Sequence, residues 1–273
     1  MSGAGELPGS LRGPWAGLTG EELATRWNVP LVETWTRLGS TNDSAAELAR
    51  SGDSDRAGGA EATLVVIAEE QTRGRGRRGA AWRSAPGSGI WMSVLLASDA
   101  LDPALPLAVG AAAAEGIEAV AGAYPSVGVK WPNDLLVDGR KVGGVLCEGA
   151  AGRVVVGLGL NVSAESVHGD PSLTEVATAL EVTHGKTLSR IELADAILGR
   201  ILASVSGSDP LGAAHASLLR RDVLRGRRLV SETHGAGVGA GVAEDGALLL
   251  ERDGERVRVV SGSVRLAPDS GRA

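Results

Sequence analysis

The stretch Leu135-Leu136-Val137-Asp138-Gly139-Arg140-Lys141-Val142 constrains this chain more than any other. Two apolar arms flank an Asp-Gly pair, which suits the two positive φ angles of a type I′ turn, so the arms pair antiparallel. Strand-like runs surround this hairpin: Thr63 to Ala68, Ile90 to Ala97, Val127 to Trp131, Val145-Leu146 and Val154 to Val156. Helical spacing marks Leu105 to Ala121, Leu173 to Leu180 and Ile191 to Val205. A shorter helix over Leu18 to Trp27 carries a capping box, with Thr19 at the cap and Glu22 three residues on. This mixture predicts an α+β domain built on a mixed sheet.

From about Arg225 the texture changes to short alternating runs punctuated by Asp245-Gly246 and Asp253-Gly254, which predicts a small all-β barrel of roughly 45 residues. The Gly-, Ser- and Pro-rich start reads as a flexible lead. The expected division is a flexible segment over 1–30, a main domain over 31–223 and a β module over 224–273.

Composition removes several classes of function. The net charge is −6, from 27 basic and 33 acidic residues, which argues against a protein that coats nucleic acid. No window holds the roughly 18 apolar residues of a membrane span, and the N-terminus lacks the order of a secretory signal. Cys147 is alone, and His168, His184, His215 and His234 are scattered, so no metal-ligand spacing is present. A cytoplasmic protein is the expectation.

Four segments carry candidate chemistry. In the Gly-rich run from Gln71 to Arg83, five Arg fall within eleven positions without one acid: Arg73, Arg75, Arg77, Arg78 and Arg83. Arg forks pair with carboxylate and phosphate, and glycine lets backbone N–H groups approach a ligand. A solvated loop or an RNA-touching segment would have the same composition, but the run lies between two strands, which favours a ligand-binding loop. In Lys130-Trp131-Pro132-Asn133-Asp134, hairpin pairing lets Lys130 face the same site as Lys141, and Asn133 and Asp134 are of the type that hold Mg²⁺ or hydroxyls. A plain turn with surface lysines is the other reading. Gly157-Leu158-Gly159-Leu160-Asn161 marks either close approach of a ligand or a bulge. Ser40-Thr41-Asn42 marks a helix N-cap, which can also present polar groups to a ligand.

Taken in this order, Ser40 to Asn42, Gln71 to Trp82, Lys130 to Asp134, Lys141 to Gly144 and Gly157 to Asn161 resemble the bacterial biotin–protein ligase family, over about residues 35–268. The resemblance implies a class II synthetase-like mixed sheet with flanking helices and an SH3-like C-terminal barrel. It implies ATP-dependent formation of biotinyl-5′-AMP, then transfer of biotin to a lysine of a biotin carboxyl carrier domain of acyl-CoA carboxylases. The implied biotin site comprises Ser40, Thr41, Asn42, Gln71, Arg75, Gly76, Arg77 and Lys141. Arg77, Arg78, Lys130, Asn133 and Asn161 match the ATP side, and Asp134 an Mg²⁺ ligand. Lys141, Arg75 and Arg77 are the implied catalytic residues, and the Arg loop is expected to order over its ligand.

Two departures stand out. Only 39 residues precede Ser40 in this sequence, too few for the helix-turn-helix domain of the family's repressors, so no DNA binding is expected. No aromatic lies near Ser166 to Ser172, where some relatives cover the adenine. A monomer or weak homodimer is expected. A lipoate ligase is the neighbouring alternative, and an RNA-binding module the alternative of a different class.

Overall fold

The computed structural model describes residues 9–51, 63–98, 101–168, 175–206 and 209–267. An eight-stranded sheet forms its centre. Its strands are β1 (Leu11–Arg12), β2 (Leu31–Arg37), β3 (Leu64–Ala68), β4 (Gly89–Leu96), β5 (Gly128–Lys130), β6 (Asp134–Val137), β7 (Arg140–Ala150) and β8 (Arg153–Asn161). They lie in the order β1-β2-β3-β4-β8-β7-β6-β5. β2 and β3 run parallel, and the other neighbouring pairs are antiparallel. The parallel pair is joined through helix α2 (Thr41–Ser51), as a crossover requires. Asp138 and Gly139 take φ of 50° and 75° and close the β6–β7 hairpin as their residue types demand.

Period-two alternation assigns the two faces of the sheet. Val154, Val156, Leu158 and Leu160 of β8 enter the larger core with Ile90, Met92 and Val94 of β4. That core is completed by α3 (Leu105–Ala121) and α5 (Arg190–Val205). On the other face Val155 and Leu95 meet Ala45 and Leu48 of α2 in a smaller cluster. Gly157 and Gly159 follow Val155 at the same spacing, and so lie on the α2 face.

Residues 9–30, expected to be a flexible lead, belong to the folded body. Leu11–Arg12 pairs with β2, and α1 (Gly20–Trp27) has the anticipated Thr19–Glu22 capping box. Trp15 and Leu23 are fully buried, and that burial is the reason the segment is held. Residues 1–8 lie outside the described residues.

Two further expectations are corrected. Val145-Leu146 is not a separate strand but the continuation of β7. The helix read over Leu173 to Leu180 begins only at Leu180, as α4 (Leu180–His184), and residues 173–174 lie outside the described part. Before it the backbone is drawn to β7: the N–H of Lys141 donates to Val176 O at 2.9 Å, and the N–H of Thr178 to Lys141 O at 2.8 Å. Helical bonding would require those same groups. A further helix, α6 (Pro210–Arg221), capped by Asp209, was not anticipated. Among the described residues no helix is long and apolar enough to cross a membrane.

Glu118 of α3 and Arg221 of α6 form a two-pronged pair, both contacts 2.6 Å. Each side chain is only 15 % exposed. Burial alone would raise the Glu118 pKa, but Arg221 and the Val127 N–H outweigh it and lower the value. Glu118→Gln should therefore cost about 2 kcal/mol at pH 7, less than the roughly 3–5 of a fully buried pair. A depressed carboxylate contributes above its unfolded pKa and loses that contribution as pH falls through the folded value. Denaturant melts at pH 7 and at successively lower pH should show the wild-type advantage shrinking with acid. An advantage that persists unchanged would mean the pair carries no such coupling.

The C-terminal sheet has five antiparallel strands, β9 (Arg228–Ser231), β10 (Gly235–Val242), β11 (Leu248–Arg252), β12 (Glu255–Val259) and β13 (Val264–Leu266), in the order β12-β11-β10-β9-β13. It is tied to the main sheet by Trp131, whose buried indole N–H donates to Gly246 O at 3.0 Å.

Candidate functional site

The site is built on the α2 face of the sheet, where the two glycines of β8 leave room. A Cβ at Gly157 would lie 2.1 Å from Asn42 Oδ1, and one at Gly159 would lie 2.6 Å from the Trp82 ring. Here the alternating glycines mark close packing of the protein's own side chains, and both line a cavity.

At the start of α2, Ser40, Thr41 and Asn42 are 2–4 % exposed, far too buried for an ordinary cap. Buried polar groups need partners, and Thr41 and Asn42 have them. Gln71 Oε1 accepts from the Thr41 N–H at 2.8 Å, and Gln71 Nε2 donates to Ser84 Oγ at 2.9 Å. The Ser93 hydroxyl donates to Asn42 Oδ1 at 2.6 Å and lies 2.8 Å from the Thr41 hydroxyl. Asn42 Nδ2 donates to Glu148 Oε2 at 2.7 Å.

The Arg loop is a structured excursion. Gln71 bridges to Leu38 and Ser84, Arg75 pairs with Ala81, and the tip makes a 3-10 turn over Arg77–Gly79. The Trp82 N–H donates to Gly74 O at 2.8 Å. These backbone bonds fix which way each arginine points.

Ser40, Thr41, Asn42, Gln71, Arg75, Gly76, Arg77, Arg78, Asn133, Asp134 and Lys141 all line one cavity of about 280 Å³. Lys130 and Asn161 do not; they line a second cavity of about 750 Å³ with Arg73 and Arg83. Ala81, Trp82, Asp134 and Lys141 belong to both, so the two cavities meet there. Lys130 and Lys141 both line the second cavity, but from β5 and β7 with β6 between them, not from the neighbouring strands that the hairpin reading expected. Lys141 Nζ lies 2.5 Å from Asp134 Oδ1 and 5.2 Å from the centre of the Trp82 ring. The Trp82 indole N–H is buried against β8 with no hydrogen-bond partner.

The cations differ in how free they are. Arg75 is held by two carboxylates, Glu148 at 2.6 Å and Asp43 at 2.5 Å, and its pKa is raised, first by the Glu148 hydrogen bond. Arg78 pairs with Glu232, in the turn between β9 and β10, at 2.8 Å. Arg77 donates only weakly, to Gly262 O at 3.3 Å, and burial, with Arg78 alongside, lowers its pKa. A guanidinium so placed gains most from an arriving anion. Asn133 is engaged with the backbone: Nδ2 donates to Val145 O at 2.7 Å. Asn161 Nδ2 donates to Thr178 O at 3.2 Å.

The residues do not fit an Mg²⁺ held by the protein alone. Asp134 is paired with Lys141, and Asp43 and Glu148 with Arg75. Among the described residues no group of three His, Cys, Asp or Glu gathers as a metal site. Cys147 packs against the core, and burial pushes its thiol above the ordinary value, which leaves it an inert side chain. The segment Ser166 to Ser172 is described only to residue 168; the remainder lies outside the described residues.

Sequence reasoning missed Ser84, Ser93, Asp43, Glu148 and Ser263. Ser93 is a buried hydroxyl in an otherwise apolar strand, and that is a readable signal. Glu148 had one as well, as an acid four positions after Gly144 and so on the same face of β7. Ser263 comes from the far end of the chain and had none.

Two cavities lined by cations and joined at a lysine define a site for bringing two anionic groups together, the task of a ligase that activates an acid. Residues 37–163 match the biotin/lipoate A/B protein ligase family. The chain is 32 % identical to the biotin–[acetyl-CoA-carboxylase] ligase of Mycobacterium tuberculosis, across 85 % of this chain and 88 % of that protein. It is 38 % identical to the bifunctional ligase/repressor BirA of Bacillus spizizenii across 59 % of this chain, and that match spans about half (49 %) of the relative's length. Its fold is that of a biotin protein ligase from Aquifex aeolicus in complex with biotin and ATP, with a TM-score of 0.71, 25 % identity and coverage of 86 % of this chain and 99 % of that one. The chain belongs to the biotin–protein ligase family.

Proposed function

We propose that this enzyme condenses biotin with ATP to biotinyl-5′-AMP and pyrophosphate, then passes the biotinyl group to a lysine of a biotin carboxyl carrier domain. The observation that carries the reading is the junction of the two cavities at Lys141 and Trp82. Biotin occupies the smaller cavity, with its polar head toward Ser40, Thr41 and Gln71 and its carboxylate toward Lys141. The nucleotide occupies the larger cavity, against Lys130 and Asn161.

A carboxylate and a triphosphate repel each other, so concentrated positive charge is needed before they can meet. Arg77, the least engaged of the three loop arginines that line the smaller cavity, and Lys141 supply it. A carboxylate oxygen of biotin attacks the α-phosphorus and pyrophosphate leaves. The carrier lysine, as a free amine, then attacks the acyl carbon, and AMP leaves with the bonding pair. Mg²⁺ belongs to this reading only as a companion of the nucleotide's phosphates, and no step is routed through it.

The test is pyrophosphate exchange into ATP with biotin or lipoate, followed by a mass measurement on a carrier domain. Biotin should drive exchange and the carrier should gain one biotinyl group. Exchange driven by lipoate and not by biotin would overturn the reading.

A further inference from the structure

Glu148 stands behind the smaller cavity rather than in it. Its two carboxylate oxygens take different partners: Oε1 accepts from Arg75 at 2.6 Å, and Oε2 from Asn42 at 2.7 Å. Both partners line the cavity, whereas Glu148 and Asp43 do not. Arg75 is a loop residue and Asn42 opens α2, so one side chain of β7 spans the two elements that enclose the proposed biotin site. A carboxylate so near an anion-binding cavity would oppose the ligand's own carboxylate unless it were neutralised and faced away. The bonds to Arg75 and Asn42 meet both conditions.

We infer that Glu148 is a positioning residue that clamps the Arg loop to the start of α2 and so holds the loop in the arrangement that encloses the biotin pocket. This rests on the reading of the site as a biotin pocket. It also changes the role of Arg75. The family resemblance implies Arg75 as a catalytic cation, but its guanidinium, shared between Glu148 and Asp43, works as the crossbar of the clamp. Arg77 and Lys141 are left to meet the reacting anions. Preorganised supporting side chains act on binding more than on a chemical step they do not touch.

The test compares wild type with Glu148→Ala, Glu148→Gln and Asp43→Asn in two measurements. In biotin-dependent pyrophosphate exchange, Glu148→Ala should raise the KM for biotin by about tenfold or more, with kcat changed by less than about threefold. Glu148→Gln, which can still accept one of the two bonds, should fall between, and Asp43→Asn, which leaves Glu148 in place, should have the smallest effect. In amide hydrogen exchange without ligand, residues 72–83 should exchange faster in Glu148→Ala while β4 and β8 stay protected. An unchanged KM, unchanged loop exchange, or a kcat that falls in step with KM would overturn the inference. Should Glu148→Ala fail to fold, the glutamine variant decides by the same criteria. Wild type that shows no biotin-driven exchange would sink the biotin reading, while the amide-exchange comparison would still judge the clamp.

Discussion

Lys141→Ala should slow acyl-adenylate formation by about 10²–10³-fold while leaving the fold intact. Lys141 is the cation at the meeting point of the two cavities, and its ammonium stands over the Trp82 face. Negative charge that develops as the acid attacks the α-phosphorus would build within its reach. A single preorganised donor of this kind contributes about 3–4 kcal/mol to a transition state. The cost to stability is much smaller. Lys141 and Asp134 are about a third and a quarter exposed, and exposed pairs contribute about 0–1 kcal/mol. Removing the lysine does leave Asp134 uncompensated beside the arriving phosphates, so part of the rate loss is repulsion. The double variant Lys141→Ala/Asp134→Asn separates the two effects by partly recovering rate. Stopped single-turnover assays of biotinyl-AMP would measure both. A rate within about threefold of wild type would remove Lys141 from the reaction.

Gly157→Ala should lower Tm by about 10 °C and weaken binding of the acid. The added methyl would lie 2.1 Å from Asn42 Oδ1 and 2.9 Å from its Cγ. Asn42 is 4 % exposed and is held by Ser93, Glu148 and the Leu146 carbonyl, so it has nowhere to turn. Overpacking costs about 1–3 kcal/mol, and each buried polar group left unpaired costs about 1–3 more. For a chain of this size each kcal/mol moves Tm by roughly 2–4 °C. Adding Asn42→Ala would remove the steric part of the cost, so the double variant should be more stable than the two single losses summed. A Gly157→Ala protein that melts with wild type would show that Asn42 can leave its bonds freely. Binding of biotin, measured by calorimetry, would then be the remaining test of the packing argument.

Much of the fold was legible because its causes are local. Asp138-Gly139 announces the hairpin through its positive φ angles, and Thr19–Glu22 announces the start of α1. Leu105 to Ala121 reads as the helix it is. The errors arise where backbone bonding goes to a distant segment. Residues 175–179 carry a helix-like pattern, yet their groups bond Lys141. Leu11–Arg12 looks like part of a loose terminus, yet it adds an edge strand. No local pattern encodes either partner.

The site divides in the same way. Residue types and their order along the chain by themselves pointed to a site for anions and placed the chain in a family. Those signals survive in one dimension, because a Gly-rich loop crowded with arginines or a lysine one turn past an Asp-Gly hairpin keeps its meaning wherever it folds. Only the tertiary structure decided which cations are free. Arg75, Arg77 and Arg78 are equivalent letters in the loop, but Arg75 meets Glu148 and Asp43, Arg78 meets Glu232, and Arg77 meets one carbonyl. The reason is physical: an ion pair depends on the distance between side chains, and elements up to 154 residues apart in the chain set that distance only once they have packed.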